Sequence, residues 1–109
     1  MRRSANKYHN VRVACDGYIF ASKRELQRYQ ELKLLVYAGQ IRDLQLQPAF
    51  SLDVNGVHVA NYIGDFAYTE LGTGAYVVED VKSTATRTAV YRLKKRLVKA
   101  LYHLEVREV

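Results

Sequence analysis

Hydrophobic and polar positions alternate along much of this chain, and the period of the alternation changes several times. Two short β-like runs, Asn10–Cys15 and Tyr18–Phe20, flank Asp16-Gly17, a dipeptide suited to the tight turn of a hairpin. From Ser22 the period lengthens to that of a helix. Ser22-Lys23-Arg24-Glu25 fits a capping box, and Gly39 stands where a glycine stops a helix, so the pattern predicts a helix from Lys23 to Ala38. Its stripe is Glu25, Tyr29, Leu32 and Val36, which should face a sheet and carry Glu25 inward at the helix start.

Extended structure follows. Leu44 and Leu46 alternate with polar residues before Pro48, which suits a strand start or edge. Phe50, Leu52 and Val54 alternate up to Asn55-Gly56, a second hairpin turn. Val57–Thr69 reads as one long strand, Leu71–Gly74 as a turn and Ala75–Lys82 as another strand. A polar connection, Ser83–Thr86, leads into a helix from Arg87 to Tyr102, with Val90, Leu93, Leu97 and Leu101 as its apolar stripe. Leu104–Val109 alternates briefly, as a last strand would. The order ββ-α-βββ-α-β predicts an α/β (α+β) architecture, a mixed sheet with helices packed on it. No repeat or linker divides it, so residues 1–109 form one expected domain.

Composition narrows the function classes. The single cysteine, Cys15, excludes an internal disulfide and a cysteine zinc cage. No apolar run reaches the roughly 18 residues of a membrane span, and no apolar signal core follows the basic start, so a soluble protein in a reducing, cytoplasmic compartment is expected. Charge says more. Lys and Arg number 17 against 11 Asp and Glu, a net charge of +6. Residues 1–12 carry +4 without an acid and residues 86–102 carry +6 without an acid, which leaves −4 for everything else. Two basic ends around an acidic middle suit a polyanion held about an acidic pocket. Arg2, Arg3 and Lys7 would supply one grip. Arg92, Lys95, Arg96 and Lys99, opposite the apolar stripe of the second helix, would supply the other as a ridge that tracks phosphates.

The acidic middle contains the candidate chemistry. On the strand Ala75–Lys82, the side chains of Val78, Asp80 and Lys82 share one face, and Val77, Glu79 and Val81 share the other. Ile63, Asp65 and Ala67 share a face of the preceding strand. If the two strands pair through Leu71–Gly74, Asp65 lies near Asp80. Carboxylates flanked by Val, Ile and Phe are costly to bury without a cation, and Mg²⁺ suits a few carboxylates with water and phosphate oxygens. A plain Asp80–Lys82 ion pair competes with this reading. Glu25 either reaches back to the Ser22 amide or joins the other acids, and the two roles are compatible. His9, His58 and His103 lack metal-ligand spacing, and no nucleotide-binding glycine loop or serine triad appears.

Taken in order, Ser22-Lys23-Arg24-Glu25, Tyr62-Ile63-Gly64-Asp65-Phe66 and Val78-Glu79-Asp80-Val81-Lys82 resemble the PD-(D/E)xK nuclease superfamily. More narrowly, the chain looks like a family of small phage-encoded endonucleases, related in type to Holliday junction resolvases. That family shares a Phe-x-Ser-Lys-x-Glu helix start, here Phe20 to Glu25, and a Gln-Pro-x-Phe segment, here Gln47 to Phe50. The resemblance implies a restriction-endonuclease-like αβββαβ core behind an N-terminal β-hairpin. It implies that Asp65 and Asp80, with Glu25, hold Mg²⁺ (Mn²⁺ as a substitute), that Lys82 positions or activates water, and that a DNA phosphodiester is hydrolysed. Gly64 replaces the proline of the superfamily name, and Glu79 is a rival for Asp80 on the opposite strand face.

A DNA endonuclease choosing branched or junction DNA by shape is therefore expected, in phage DNA processing and in the host cytoplasm, with a homodimer as partner arrangement. The competing expectations are a non-catalytic basic nucleic-acid-binding module and an RNA endonuclease.

Overall fold

The turn and capping signals determine where the elements begin. A computed structural model of the protein describes residues 12–82 and 86–109, so the basic residues Arg2, Arg3 and Lys7 lie outside the described residues. β1 (Val13–Cys15) and β2 (Tyr18–Phe20) pair antiparallel across Asp16-Gly17. Ser22 caps α1 (Lys23–Tyr37), its Oγ accepting from the Glu25 amide at 3.2 Å. Five strands follow: β3 (Ile41–Leu46), β4 (Ala49–Val54), β5 (Val57–Ile63), β6 (Phe66–Glu70) and β7 (Tyr76–Asp80). Thr88 caps α2 (Ala89–Tyr102), which leads to β8 (Arg107–Glu108).

The expected order had three strands between the helices, and the described residues contain five. The stretch read as one strand over Val57–Thr69 is broken at Gly64-Asp65, and the chain before it is broken at Gln47-Pro48. The breaks face each other: the Gln47 amide donates to the Asp65 carbonyl at 3.0 Å, and the Gly64 amide donates to the Pro48 carbonyl at 2.9 Å. Gln47 turns the corner at φ 53°, in the left-handed region. Beyond the corner, β4 and β5 form a two-stranded ribbon across Asn55-Gly56, whose φ values of 52° and 80° are those of a tight hairpin turn. Behind it, β6 enters a separate four-stranded sheet of order β3-β6-β7-β8.

In this mixed sheet β3-β6 and β6-β7 are antiparallel and β7-β8 is parallel. A parallel neighbour needs a long crossover, and α2 provides it. With the ribbon set aside, the elements of the sheet and its helices run α-β-β-β-α-β. Period-two alternation divides β6 and β7 between two cores. Phe66, Tyr68 and Val77 pack with Phe20, Tyr29, Leu32 and Ile41 on the α1 side. Ala67 and Val78 pack with Tyr91, Val98 and Val106 and with Leu52 and Tyr62 of the ribbon on the α2 side.

Both helix stripes need correction. On α1, Tyr29 and Leu32 are buried and Glu25 is half-buried, but Val36 is exposed. On α2 the buried pair is Tyr91 and Val98, seven residues apart; Leu97 is partly buried, whereas Val90 and Leu93 are 61% and 57% exposed and Leu101 is also exposed. The helix is rotated because the Tyr91 hydroxyl reaches the Glu108 carboxylate of β8 at 2.8 Å, which directs residue 91 to the sheet. Among the described residues no helix is long and apolar enough to cross a membrane.

Gly64 is required by close approach. A Cβ there would lie 3.0 Å from Val78 Cγ1 and 3.4 Å from Pro48 Cγ, at the point where ribbon and sheet cross. Gly64→Ala should lower stability by about 1–3 kcal/mol, as overpacking does. A urea midpoint that falls with unchanged slope would verify this.

Candidate functional site

The break at Gly64-Asp65 places a carboxylate at the mouth of the sheet. Asp65 precedes β6, and its amide donates to the Glu79 carbonyl at 3.0 Å, which carries the β6-β7 register one step past Phe66↔Glu79. Asp65 therefore stands opposite Asp80, on the face that Ala67 and Val78 share. Its Oδ2 accepts from the Val81 amide at 2.7 Å, so the side chain ties the start of β6 to the end of β7.

Asp80 ends β7 and is 2% exposed. Its Oδ2 accepts from the buried Tyr62 hydroxyl, and its carboxyl group also shares a hydrogen bond with Asp65. Burial pushes the Asp80 carboxyl up to about 7; the Tyr62 bond and the Lys82 charge oppose the rise, and Asp65 adds to it. Burial, followed by the Asp80 bond, raises the Tyr62 hydroxyl above its ordinary value.

Glu25 approaches from the first turn of α1. Burial raises its carboxyl and the charge of Asp65 raises it further, while the Ala21 amide and the Lys82 charge pull it down. Its backbone makes the expected cap with Ser22, but its carboxylate makes no return hydrogen bond to the Ser22 amide, the second half of a capping box. Lys82, just past β7, makes no ion pair with Asp80. Its Nζ lies 4.3 Å from the centre of the Tyr91 ring, so a cation–π contact stands where the simple Asp80–Lys82 pair was expected.

Asp80, Tyr62 and Lys82 open onto a cleft of about 360 Å³ that Asn61, Ile63, Thr86, Thr88, Val90, Tyr91 and Lys94 also line; Asp65 and Glu25 are not among its lining residues. Among the described residues no three His, Cys, Asp or Glu side chains close into a metal cage. Asp65 and Asp80 meet, and Glu25 is coupled to Asp65 by charge rather than contact. A pair of oxygen ligands with room beside it matches the way Mg²⁺ binds, through one or two carboxylates with water and phosphate, and does not match a closed zinc site.

Glu79 lies on the other face, as parity requires. It is fully buried, and Arg28 of α1 grips it with both prongs, Nε to Oε1 at 2.8 Å and Nη2 to Oε2 at 2.6 Å. The Tyr68 hydroxyl donates to Oε2, and Arg28 also reaches Glu31 at 3.0 Å. Every part of this carboxylate is occupied, so Glu79 is a structural anchor.

The basic ridge is less free than its sequence indicated. Arg92, Lys95, Arg96 and Lys99 line one groove of about 440 Å³, with Arg87, Glu105, Val106 and Glu108. Lys95 pairs with Glu108 at 3.2 Å, Lys99 with Glu105 at 3.3 Å, and Arg92 Nη1 donates to the Arg87 carbonyl at 2.8 Å. Lys94 and Tyr62 are cleft residues to which the sequence assigned no role, and Tyr91, read there as a neighbour of the basic ridge that could touch nucleic acid, lines the cleft as well. Lys94 belongs to the same basic run, but only the rotation of α2 shows that it lines the cleft. On the ribbon, Ser51, Asp53 and His58 meet, but serine and aspartate both contact the same ring atom, His58 Nδ1, at 3.0 and 2.8 Å. A serine relay needs opposite ring nitrogens, so this exposed cluster is not one.

Two expectations follow. The folded Asp80 carboxyl, near 7, lies above its unfolded value of about 3.9. The native state then holds more protons between these values, so stability falls as pH rises from 4 to 7 and levels off above. In EDTA, Asp80→Asn should abolish that slope and stabilise the protein at pH 8 by on the order of a few kcal/mol, measured by urea unfolding across pH. Arg28→Met should cost about 3–5 kcal/mol because Glu79 is left charged and buried, and adding Glu79→Gln should restore much of it.

No curated protein and no solved structure matches this sequence. Residues 5–108 match the family described as "Protein of unknown function (DUF1064)", and with the match spanning nearly the whole length, the chain belongs to the DUF1064 family.

Proposed function

We propose that this protein is a Mg²⁺-dependent DNA endonuclease, a phosphodiester hydrolase of the PD-(D/E)xK type. The observation that carries the reading is the meeting of Asp65 and Asp80 at the paired ends of β6 and β7, with Asp80 lining an open cleft and, among the described residues, no cation in an ion pair with either. Asp80 rises to about 7 because burial and a second carboxyl group oppose its charge; a divalent cation relieves both. The α-β-β-β-α-β order of the sheet and helices is also the order that the superfamily resemblance implies.

In this reading Asp65 and Asp80 hold Mg²⁺, with Glu25 completing the site through water or after a short side-chain movement. The bound ion would lower the pKa of a coordinated water and stabilise charge developing on the phosphate. Tyr62 fixes the Asp80 carboxylate by donating to one oxygen. Lys82 orients the attacking water and adds positive charge beside the phosphate. Lys94, at the cleft wall, meets the backbone near the scissile bond, and Arg92 and Arg96 extend that contact along the outer groove. Contacts of this kind position a duplex without reading bases, so selection falls to shape, such as a branch or junction. Cutting both strands of a symmetric junction would use two copies of the chain.

Supercoiled, linear and four-way-junction DNA, with single-stranded and duplex RNA alongside, should be incubated with the protein in Mg²⁺, Mn²⁺ or EDTA. We expect metal-dependent cutting of branched DNA, lost by at least about 10²-fold in Asp80→Ala and Asp65→Ala. Salt-sensitive binding that neither substitution nor Mg²⁺ alters, with no cutting, would replace the enzyme by a binding module. Preferential cutting of RNA would change the substrate.

A further inference from the structure

The cleft contains one polar group held in an unusual way. A lysine within reach of the charges of two carboxyl groups, Glu25 and Asp80, ordinarily forms an ion pair with one of them, yet the Lys82 ammonium rests on an aromatic face, 4.3 Å from the Tyr91 centroid. That ring is fixed at both ends. The Tyr91 amide donates to Thr88 Oγ1 at 3.1 Å, inside the α2 cap, and its hydroxyl donates to Glu108 Oε2 at 2.8 Å. Glu108 is itself held by Arg87 at 2.9 Å and Lys95 at 3.2 Å. Tyr91 is only 8% exposed, so its rotamer has little room to change.

We propose that Tyr91 is a positioning residue for Lys82, with Glu108 as the brace that fixes the ring. The proposal rests on the nuclease reading above. An ion pair with Asp80 would neutralise the ammonium and occupy the carboxylate that the metal needs. The ring face attracts the cation without accepting a conventional hydrogen bond from it, so the three N–H donors remain available to water and phosphate. It also restricts a four-carbon side chain that otherwise samples many rotamers. Lys95, one of the cations expected to grip nucleic acid, thereby acts with Arg87 through Glu108 and Tyr91 on the site itself.

The test uses the full chain and two readouts. In the NMR spectrum of the wild type, the Lys82 CεH₂ protons should be shifted upfield by the ring current. Tyr91→Phe and Glu108→Gln, which keep the ring but loosen its brace, should each reduce the shift without abolishing it, and Tyr91→Met should abolish it. Metal-dependent cleavage should follow the same order. Tyr91→Met should lower kcat about tenfold with KM little changed, and Tyr91→Phe should fall between that variant and the wild type. Glu108→Gln keeps the core aromatic ring and serves if Tyr91→Met fails to fold. A Lys82 resonance at its random-coil position in the wild type overturns the proposal whether or not the protein cleaves. So does wild-type kcat in a variant that has lost the shift. A wild type that cuts nothing but shows the shift overturns the nuclease reading and, with it, a catalytic purpose for the contact.

Discussion

Two adjacent residues of one central strand, Glu79 and Asp80, bury carboxyl groups on opposite faces of the sheet. A carboxylate removed from water must find a cation, find donors or take up a proton, and the two faces adopt different solutions. On the α1 face Arg28 supplies a two-pronged guanidinium and Tyr68 a hydroxyl, so Glu79 is fully compensated. On the α2 face Asp80 has a tyrosine hydroxyl and a second carboxyl group, while the nearest ammonium is held aside on Tyr91. One face is a closed anchor. The other is short of positive charge and open to a cleft, and this asymmetry is what makes it the candidate for chemistry.

The ribbon and the sheet are joined where that shortage arises. Gln47-Pro48 and Gly64-Asp65 cross through two backbone hydrogen bonds, and the crossing releases Asp65 from the strand pattern just before β6 begins. Its side chain then bonds the amide after β7, so the carboxylate is built into the strand ends and not carried by a free loop. The Gln-Pro-x-Phe segment thus has a mechanical explanation: proline has no amide to donate and ends β3, and its carbonyl receives the Gly64 amide. Gly64 is small because Val78 occupies the space a side chain would need.

The positive charge of the chain divides in a similar way. Along α2 the outer cations meet Glu105 and Glu108, which β8 and the residues before it bring alongside, so much of the ridge is internally balanced. Lys82 and Lys94 line the cleft instead. Exposed ion pairs contribute little to stability and exchange readily for phosphate contacts, whereas the Arg28–Glu79 pair is buried and does not.

Local signals in the sequence determined the hairpin turns, the Ser22 cap, the start and end of α1, the pairing of strands through Leu71–Gly74, and the opposite faces of Glu79 and Asp80. These depend on short-range geometry: turn dihedrals, a cap three residues long and the period of two along a strand. The same reasoning brought Asp65 and Asp80 together. It did not locate the breaks at Gln47-Pro48 and Gly64-Asp65, because an uninterrupted apolar alternation looks the same whether its two halves join one sheet or two. It also misjudged the rotation of α2, where an aliphatic stripe outweighed a tyrosine whose partner, Glu108, is 17 residues away. Where Lys82 rests, which carboxyl group stays uncompensated and which lysine of the basic run enters the cleft were decided by tertiary structure alone, since each depends on contacts between elements that no local pattern encodes.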